Sequence, residues 1–257
     1  MEQNDSYLLA SVEDKIKLAN KMNKIKNTAF LTVQERKNVE KYLTGLKKKQ
    51  YCFAGGFTEA ERQVLVVYSN QFEPEMVQRN LNNILQAIKI QLPKELRGQY
   101  QHGDYLSSLM RIGLERDRFG DIVVFEDEAY IVVLKENASY IVENLKQLTR
   151  FQKATISEIS ISEMKTKEVT FEDLKIVIAS NRLDNFVAEL AKCSRKQAEE
   201  FLLAERVLVN NEIITKQTKQ MKESDVITIR GKGKFIVDQY MGMNKKERMI
   251  YEIKKYH

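Results

Sequence analysis

The sequence predicts an α+β protein of three modules. These are an N-terminal α+β region over residues 1–75, a central ferredoxin-like domain over 76–165, and a C-terminal domain over 170–257 with two short helices on a small twisted sheet. Three observations carry the prediction. The apolar period switches repeatedly between 3.6 and 2 along the chain. The middle third orders its elements β-α-β-β-α-β. The last third places two amphipathic helices before a short hairpin. At 257 residues, 43% hydrophobic and 30% charged, the chain is long enough for two or three domains and too apolar to be disordered.

In the N-terminal region two helices are expected, over about Val12 to Lys26 and Val33 to Lys49. Thr32 can cap the second, with Glu35 at the reciprocal capping-box position. A short strand from Tyr51 to Ala54, a turn at Gly55-Gly56 and an apolar strand from Val64 to Tyr68 follow.

The middle opens with a strand inside Asn83 to Leu92, where Ile84, Ile88 and Ile90 alternate with polar neighbours. Tyr105 to Leu114 carries Leu106, Leu109, Met110 and Leu114 at helical spacing, with Gly113 near its end. Asp121 to Phe125 and Ala129 to Leu134 are β-branched runs around the acidic turn Glu126-Asp127-Glu128. A helix from Asn137 to Leu148 and a strand from Gln152 to Ile161 complete the order shared by many RNA-recognition domains. Such domains stack bases on aromatic residues of their central strands. Here those strands offer only Phe125 and Tyr130, which leaves base stacking and plain packing both open.

In the last third, Leu183, Phe186, Val187 and Leu190 form one apolar helix face. Ser194 and Gln197 make a capping box for a second helix, which buries Ala198, Phe201 and Leu202. That phase turns Arg195 and Lys196 outward at its first turn, beside backbone donors that favour phosphate. After Arg206 the period becomes two: Val207 and Val209, a turn at Asn210-Asn211, then Ile213 and Ile214. Asn tolerates positive φ, so it serves in that turn. A further strand is expected from Val226 to Arg230, and the loop Arg230-Gly231-Lys232-Gly233-Lys234 then sets three cations on a glycine-rich backbone.

Net charge is +6, distributed as +5 over residues 1–50, −3 over 51–161 and +4 over 162–257. Basic ends can release counterions from a polyphosphate, and the middle cannot bind one by bulk charge. No apolar run is long enough to cross a membrane, and the start of the chain lacks the basic and apolar regions of a secretory signal. Cys52 and Cys193 are far apart and read as reduced thiols, so a cytoplasmic location is expected. His102 and His257 are the two histidines, and CxxC, HExxH, GxSxG and GxGxxG are all missing. The glycine-rich loop lacks the spacing and the Gly-Lys-Ser/Thr ending of a nucleotide P-loop. No cofactor, metal site or catalytic residue is expected.

The last third, from about Asn181 to Val237, resembles the RNA-binding domain first described in ribosomal small-subunit protein four, the S-four domain. It departs from the usual form at Asn211, where Gly is commoner, and at Lys222 to Asp225, where a Pro-Gly turn is usual. Two further segments extend the likeness. Gly55, Gly56, Ala60, Glu61 and Arg62 match a Gly-Gly-aromatic-x-x-Ala-Glu-Arg signature. His102, Asp104, Leu106, Leu109, Gly113, Arg116, Gly120, Asp121 and Ile122 match a helix opening and a turn that follow it. Gly103 and Glu115 stand where basic residues are usual, and Ser107 where Gly is. In this order the segments resemble the YlmH-type family of bacterial S-four proteins over nearly the whole chain.

The resemblance implies a non-catalytic, monomeric RNA-binding protein. It implies association with rRNA and tRNA on the large ribosomal subunit, in rescue or quality control of stalled translation, with a possible tie to cell division. The expected RNA-contacting set is Arg182, Asp184, Arg195, Lys196, Arg206, Asn210, Arg230, Lys232 and Lys234, with Arg116 in the central domain. Arg182, Arg195 and Lys196 are expected to hold their heads in water, so that Gln at each changes stability by at most roughly 0.5 kcal/mol. Two alternatives stand beside this reading: an rRNA-modifying enzyme of the pseudouridine synthase class, and a protein-binding scaffold of the division machinery.

Overall fold

The computed structural model describes residues 2–168 and 170–256, with side chains from Ser6 onward. The chain forms two compact units, Met1–Lys167 and Glu168–His257.

The first unit begins with α1 (Glu2–Met22), β1 (Lys26–Leu31), α2 (Val33–Gly45), β2 (Tyr51–Ala54) and β3 (Gln63–Val67). The strands form an antiparallel sheet in the order β1-β3-β2. The α2 cap is the expected one: Thr32 Oγ1 accepts from the Glu35 N–H at 3.2 Å, and the Glu35 carboxylate accepts from the Thr32 N–H at 2.7 Å. Helix α1 starts well before the expected Val12, and β1 occupies a stretch the apolar period left unassigned. The period fails there for a visible reason. β1 carries a register shift between Asn27 and Phe30, and Thr28 Oγ1 accepts the Leu65 N–H at 3.0 Å. One sheet face packs on the helices through Val12, Ala19, Val39 and Leu43.

After α3 (Pro74–Asn80) comes β4 (Leu85–Gln91), α4 (His102–Arg111), β5 (Phe119–Val124), β6 (Glu128–Leu134), α5 (Lys135–Gln147) and β7 (Thr155–Ile159). Helix α3 was not legible, because it buries only Val77 and shows no apolar period. The four strands are antiparallel in the order β5-β6-β4-β7, the ferredoxin-like arrangement. Helices α4 and α5 cover one face, where Tyr105, Leu109, Ile141 and Leu145 meet Ile88, Ile90, Ile131 and Val133. On the other face Leu85, Val132 and Leu134 pack with Phe30, Val64 and Val66 of the first sheet.

That second packing answers the base-stacking question for Tyr130. β6 is buried along its whole length, and Tyr130 is only 1% exposed. Its ring meets Phe125 edge-on at 6.0 Å, so it packs the core and offers no face to a base.

The second unit holds β8 (Phe171–Ile178), α6 (Leu183–Leu190), α7 (Arg195–Leu203), β9 (Val207–Val209), β10 (Glu212–Ile213), β11 (Val226–Ile229), β12 (Gly233–Met243) and β13 (Met249–Tyr256). Its sheet runs β10-β9-β11-β12-β13-β8. The core joins Leu183, Phe186, Val187, Ala198 and Leu202 of the helices to Val207, Val209, Ile227, Phe235 and Ile253 of the sheet. Asn210 and Asn211 adopt φ of 52° and 66°, the left-handed pair a two-residue hairpin turn requires. The sheet is larger than the sequence implies, since β8 and the long β12–β13 hairpin add three strands. Past Asp238 the alternation of β12 is lost, with Tyr240, Met241 and Met243 exposed and the register shifted twice. Among the described residues no helix is long and apolar enough to cross a membrane.

Candidate RNA interface

The centre of the second unit is a buried carboxylate. Asp184 sits in the first turn of α6 and has no exposed surface. Arg182 gives it two hydrogen bonds, Nε to Oδ1 at 3.1 Å and Nη2 to Oδ2 at 2.8 Å. Arg195, from the first turn of α7, gives two more to Oδ2, from Nε at 3.0 Å and from Nη2 at 2.8 Å. The Asn185 N–H adds a fifth to Oδ1 at 3.1 Å. Burial alone would raise the carboxyl pKa, but the hydrogen bonds and charges of the two arginines outweigh it and hold the group below the usual carboxylate range. The guanidinium pair thus ties the start of α6 to the start of α7.

This corrects two expectations. Asp184 is the internal anchor of two arginines and has no surface with which to meet RNA. Arg182 and Arg195 do not hold free heads in water: both are engaged, although their side chains stay 30% and 54% exposed. Helical phase places Arg195 outward correctly, but cannot show that a buried acid eleven residues earlier lies within its reach. The available signal was Asp184 itself, which falls beside Leu183 and Val187 on the apolar side of α6.

Other expected contacts also hold the fold. Asn210 donates to Asp225 Oδ1 at 2.8 Å and accepts from the Val226 N–H at 2.9 Å, stapling the turn to β11. Arg206 lies over the Phe201 ring at 4.6 Å and donates to the Arg230 carbonyl at 2.9 Å, so it supports the glycine-rich loop from below. That loop is a tight turn, with Gly231 at φ +80°. A Cβ on Gly231 would stand 3.2 Å from Arg206 Nη2. Lys234 stacks on Tyr256, 4.8 Å from the ring centre.

Three members of the set remain exposed with no hydrogen bond or ion pair from their side chains among the described residues: Lys196, Arg230 and Lys232. They are not scattered. Arg230 and Lys232 flank the turn that Arg206 supports, and Lys232 is close enough to Cys193 for its charge to oppose the burial that pushes the thiol pKa up. Cys193 immediately precedes the Ser194 cap of α7, where Lys196 stands. The Ser194–Gln197 capping box is formed as expected, at 3.2 Å from the Gln197 N–H and 3.0 Å from the Ser194 N–H. The loop cations and the first turn of α7 therefore make one basic edge.

In the first unit Arg116 donates from Nη1 to the carbonyls of Phe119 at 2.8 Å and Gly120 at 3.1 Å, with its guanidinium 4.5 Å from the Phe119 ring centre. Part of its hydrogen-bonding capacity thus shapes the β5 entry. The two motif segments of this unit come together here. Asp121 accepts from the Glu61 N–H at 2.6 Å and from the Arg62 N–H at 3.4 Å, while Arg62 donates to the Phe30 carbonyl at 3.3 Å. His102 lies within Coulomb range of Arg116 and Asp121, and its pKa is lowered chiefly by burial. His257 lies outside the described residues.

Comparison with known proteins agrees with this division. The family model for the RNA-binding domain in YlmH matches residues 77–166, and that for the S4 domain matches residues 181–227. The chain is 28% identical over 236 residues to ribosome-associated protein quality control protein P2 of Bacillus subtilis, covering 90% of this chain and 88% of that one. Among solved structures it is similar to cell division protein ylmH from Streptococcus pneumoniae, at 19% identity and a TM-score of 0.48, over 62% of this chain and 93% of that one. The chain thus carries a YlmH-type RNA-binding domain followed by an S4 domain, the same order that the sequence resemblance implies.

Proposed function

We propose that the protein binds ribosomal RNA and tRNA on the large ribosomal subunit through the basic edge of its second unit, and that it does so in the rescue or quality control of stalled translation. The observation that carries this reading is the edge itself: Lys196, within the S4 match, and Arg230 and Lys232, just after it, are exposed with no side-chain hydrogen bond or ion pair among the described residues, while Arg182 and Arg195 are already locked by Asp184. Cations held in water on a rigid frame meet phosphate oxygens with little ordering cost, and phosphate contacts position a protein without reading sequence. The relative named for ribosome-associated quality control, alike over nearly the full length of both chains, supports the cellular setting.

In this reading the protein is a monomer in the cytoplasm. It binds without altering RNA chemically, and no residue of the basic edge acts as a nucleophile or base. Within the first unit, residues 76–165 form the ferredoxin-like module and the preceding 75 residues a separate α+β cover for its open sheet face. The test is crosslinking of the protein to RNA in cells, with sequencing of the attached fragments. Enrichment of large-subunit rRNA and tRNA is expected. Recovery of no RNA would overturn the reading in favour of a protein-binding scaffold.

A further inference from the structure

The first unit contains two half-buried arginines, neither of which forms an ion pair with a carboxylate of the described residues. Arg62 follows the Gly55-Gly56 turn and opens toward β3, and Arg116 stands at the entry to β5. Both are fastened to the seam where β1 meets β5. Arg62 donates to the Phe30 carbonyl at 3.3 Å, and Arg116 to the Phe119 and Gly120 carbonyls at 2.8 and 3.1 Å. The seam is tight: a Cβ on Gly120 would fall 2.7 Å from Phe30 Cε1.

A guanidinium has five N–H donors, and these carbonyls take only a minority of the ten that the two arginines carry. No carboxylate of the described residues forms an ion pair with either. Asp121, whose charge reaches both arginines, has turned its oxygens to the backbone N–H groups of Glu61 and Arg62. Glu35 and Asp117 act on Arg62 only through space. Half-buried cations without a hydrogen-bonded counter-charge are costly, because burial disfavours the charged form. The cost is visible in Arg116, whose pKa is brought down to about 10, first by burial and then by the charge of Arg62. Two arginines that repel each other, fixed by carbonyls at one end and unpaired at the other, suit an oxyanion that bridges them.

We propose that Arg62 and Arg116 form a receptor for one RNA phosphate, a second contact on the first unit and independent of the basic edge of the second. The planar fork of each guanidinium can offer two parallel donors to a phosphate, as Lys could not. The RNA-binding domain model spans Arg116, which favours an RNA phosphate over a free one. The proposal rests on the RNA-binding function stated above.

The experiment uses the full chain. Inorganic phosphate is added at constant ionic strength against chloride, and the side-chain Nε–H signals of Arg62 and Arg116 are followed by NMR. Duplex RNA is then added in its place. Both signals are expected to move with phosphate and with RNA, and to stay still with chloride. Arg62→Gln should flatten the slope of log affinity against log salt by nearly one unit, taking the value of about 0.9 for B-DNA as guide. Arg62→Lys should restore less than half of the lost affinity. Signals that ignore phosphate and RNA alike would overturn the receptor. Signals that move with phosphate but not with RNA would assign it to free phosphate and overturn the RNA contact. Lys196→Gln/Lys232→Gln serves as the separate control. If that variant loses salt slope while Arg62→Gln loses none, the function stands and this proposal falls. A wild-type chain that binds no RNA at any salt brings both down.

Discussion

Replacing Asp184 by Asn perturbs the second unit at its most connected buried polar group. The side chain keeps its shape and loses its charge, so the change isolates the carboxylate. Its four arginine hydrogen bonds span 2.8 to 3.1 Å, and the acid is fully buried. Removing one member of a buried ion pair costs about 3–5 kcal/mol when the survivor cannot be solvated. Here the surviving guanidiniums are partly exposed, so water relieves them, and the loss falls to about 2–3 kcal/mol. For a unit of this size that corresponds to roughly 10–20 °C in Tm. The assay is native-state hydrogen exchange of the Phe186 and Val187 amides, which report on α6 without interference from the first unit. Arg195→Gln should cost about 1 kcal/mol in the wild-type chain and almost nothing beside Asp184→Asn, the signature of a shared contact. The acid response has a definite sign. Because the folded carboxyl pKa is depressed, its stabilisation is complete above the ordinary value of about 3.9 and disappears as pH falls through the lower folded value. Asp184→Asn should therefore remove that part of the acid sensitivity. A loss under 0.5 kcal/mol, or an acid profile unchanged by the substitution, would refute the clamp.

The exposed cations should behave in the opposite way. Gln at Lys196, Arg230 or Lys232 should change stability by no more than roughly 0.5 kcal/mol, while each flattens the salt slope on duplex RNA by nearly one unit, about equally for different RNA sequences; salt-dependent binding titrations check both. Gly120→Ala should destabilise the first unit by about 1–3 kcal/mol in thermal unfolding, since the new Cβ meets the Phe30 ring at 2.7 Å. Residues 168–257 expressed alone should fold and retain most of the RNA affinity; a folded fragment that binds no better than residues 1–167 would misplace the main contact. Nucleoside analysis of rRNA from cells with and without the protein should show no difference, and a missing pseudouridine would make it an enzyme.

Much of the fold was legible because local chemistry agreed with the final packing. The Thr32–Glu35 and Ser194–Gln197 capping boxes, the Asn210-Asn211 turn and the βαββαβ order each follow from a few adjacent residues, and each is present. The misses share a physical cause, namely partners distant in sequence. β1 is defined by a hydroxyl in its ladder to β3, and β8 by pairing with β13 some eighty residues later. The covering of the ferredoxin-like sheet depends on Phe30, Val64 and Val66, none of which belongs to that domain's own run of sequence. The interface followed the same rule. Exposure of Lys196, Arg230 and Lys232 is a matter of helix phase and loop composition, which a sequence displays. Engagement of Arg182, Arg195, Arg206 and Arg116 depends on a carboxylate, two rings and several carbonyls that only folding brings near.

That contrast assigns different work to the two kinds of cation. Arginine gives several directed donors from one planar group, so it can brace a carbonyl or carboxylate and still present an edge to solvent. Every arginine at this surface except Arg230 is used in that manner, at 2.8 to 3.1 Å from its partner. The lysines at positions 196 and 232 have no such fork, and no side-chain hydrogen bond or ion pair among the described residues orients them. If the locked arginines were the principal RNA contacts, binding would require trading Asp184 for a phosphate and would weaken the fold at the moment of association. A frame set by Asp184, with the arginines' remaining donors facing water beside exposed lysines, avoids that exchange. Asp184→Asn should then lower RNA affinity only as far as it loosens the frame, and a rigidified Asp184→Asn chain that binds as tightly as wild type would be the expected consequence.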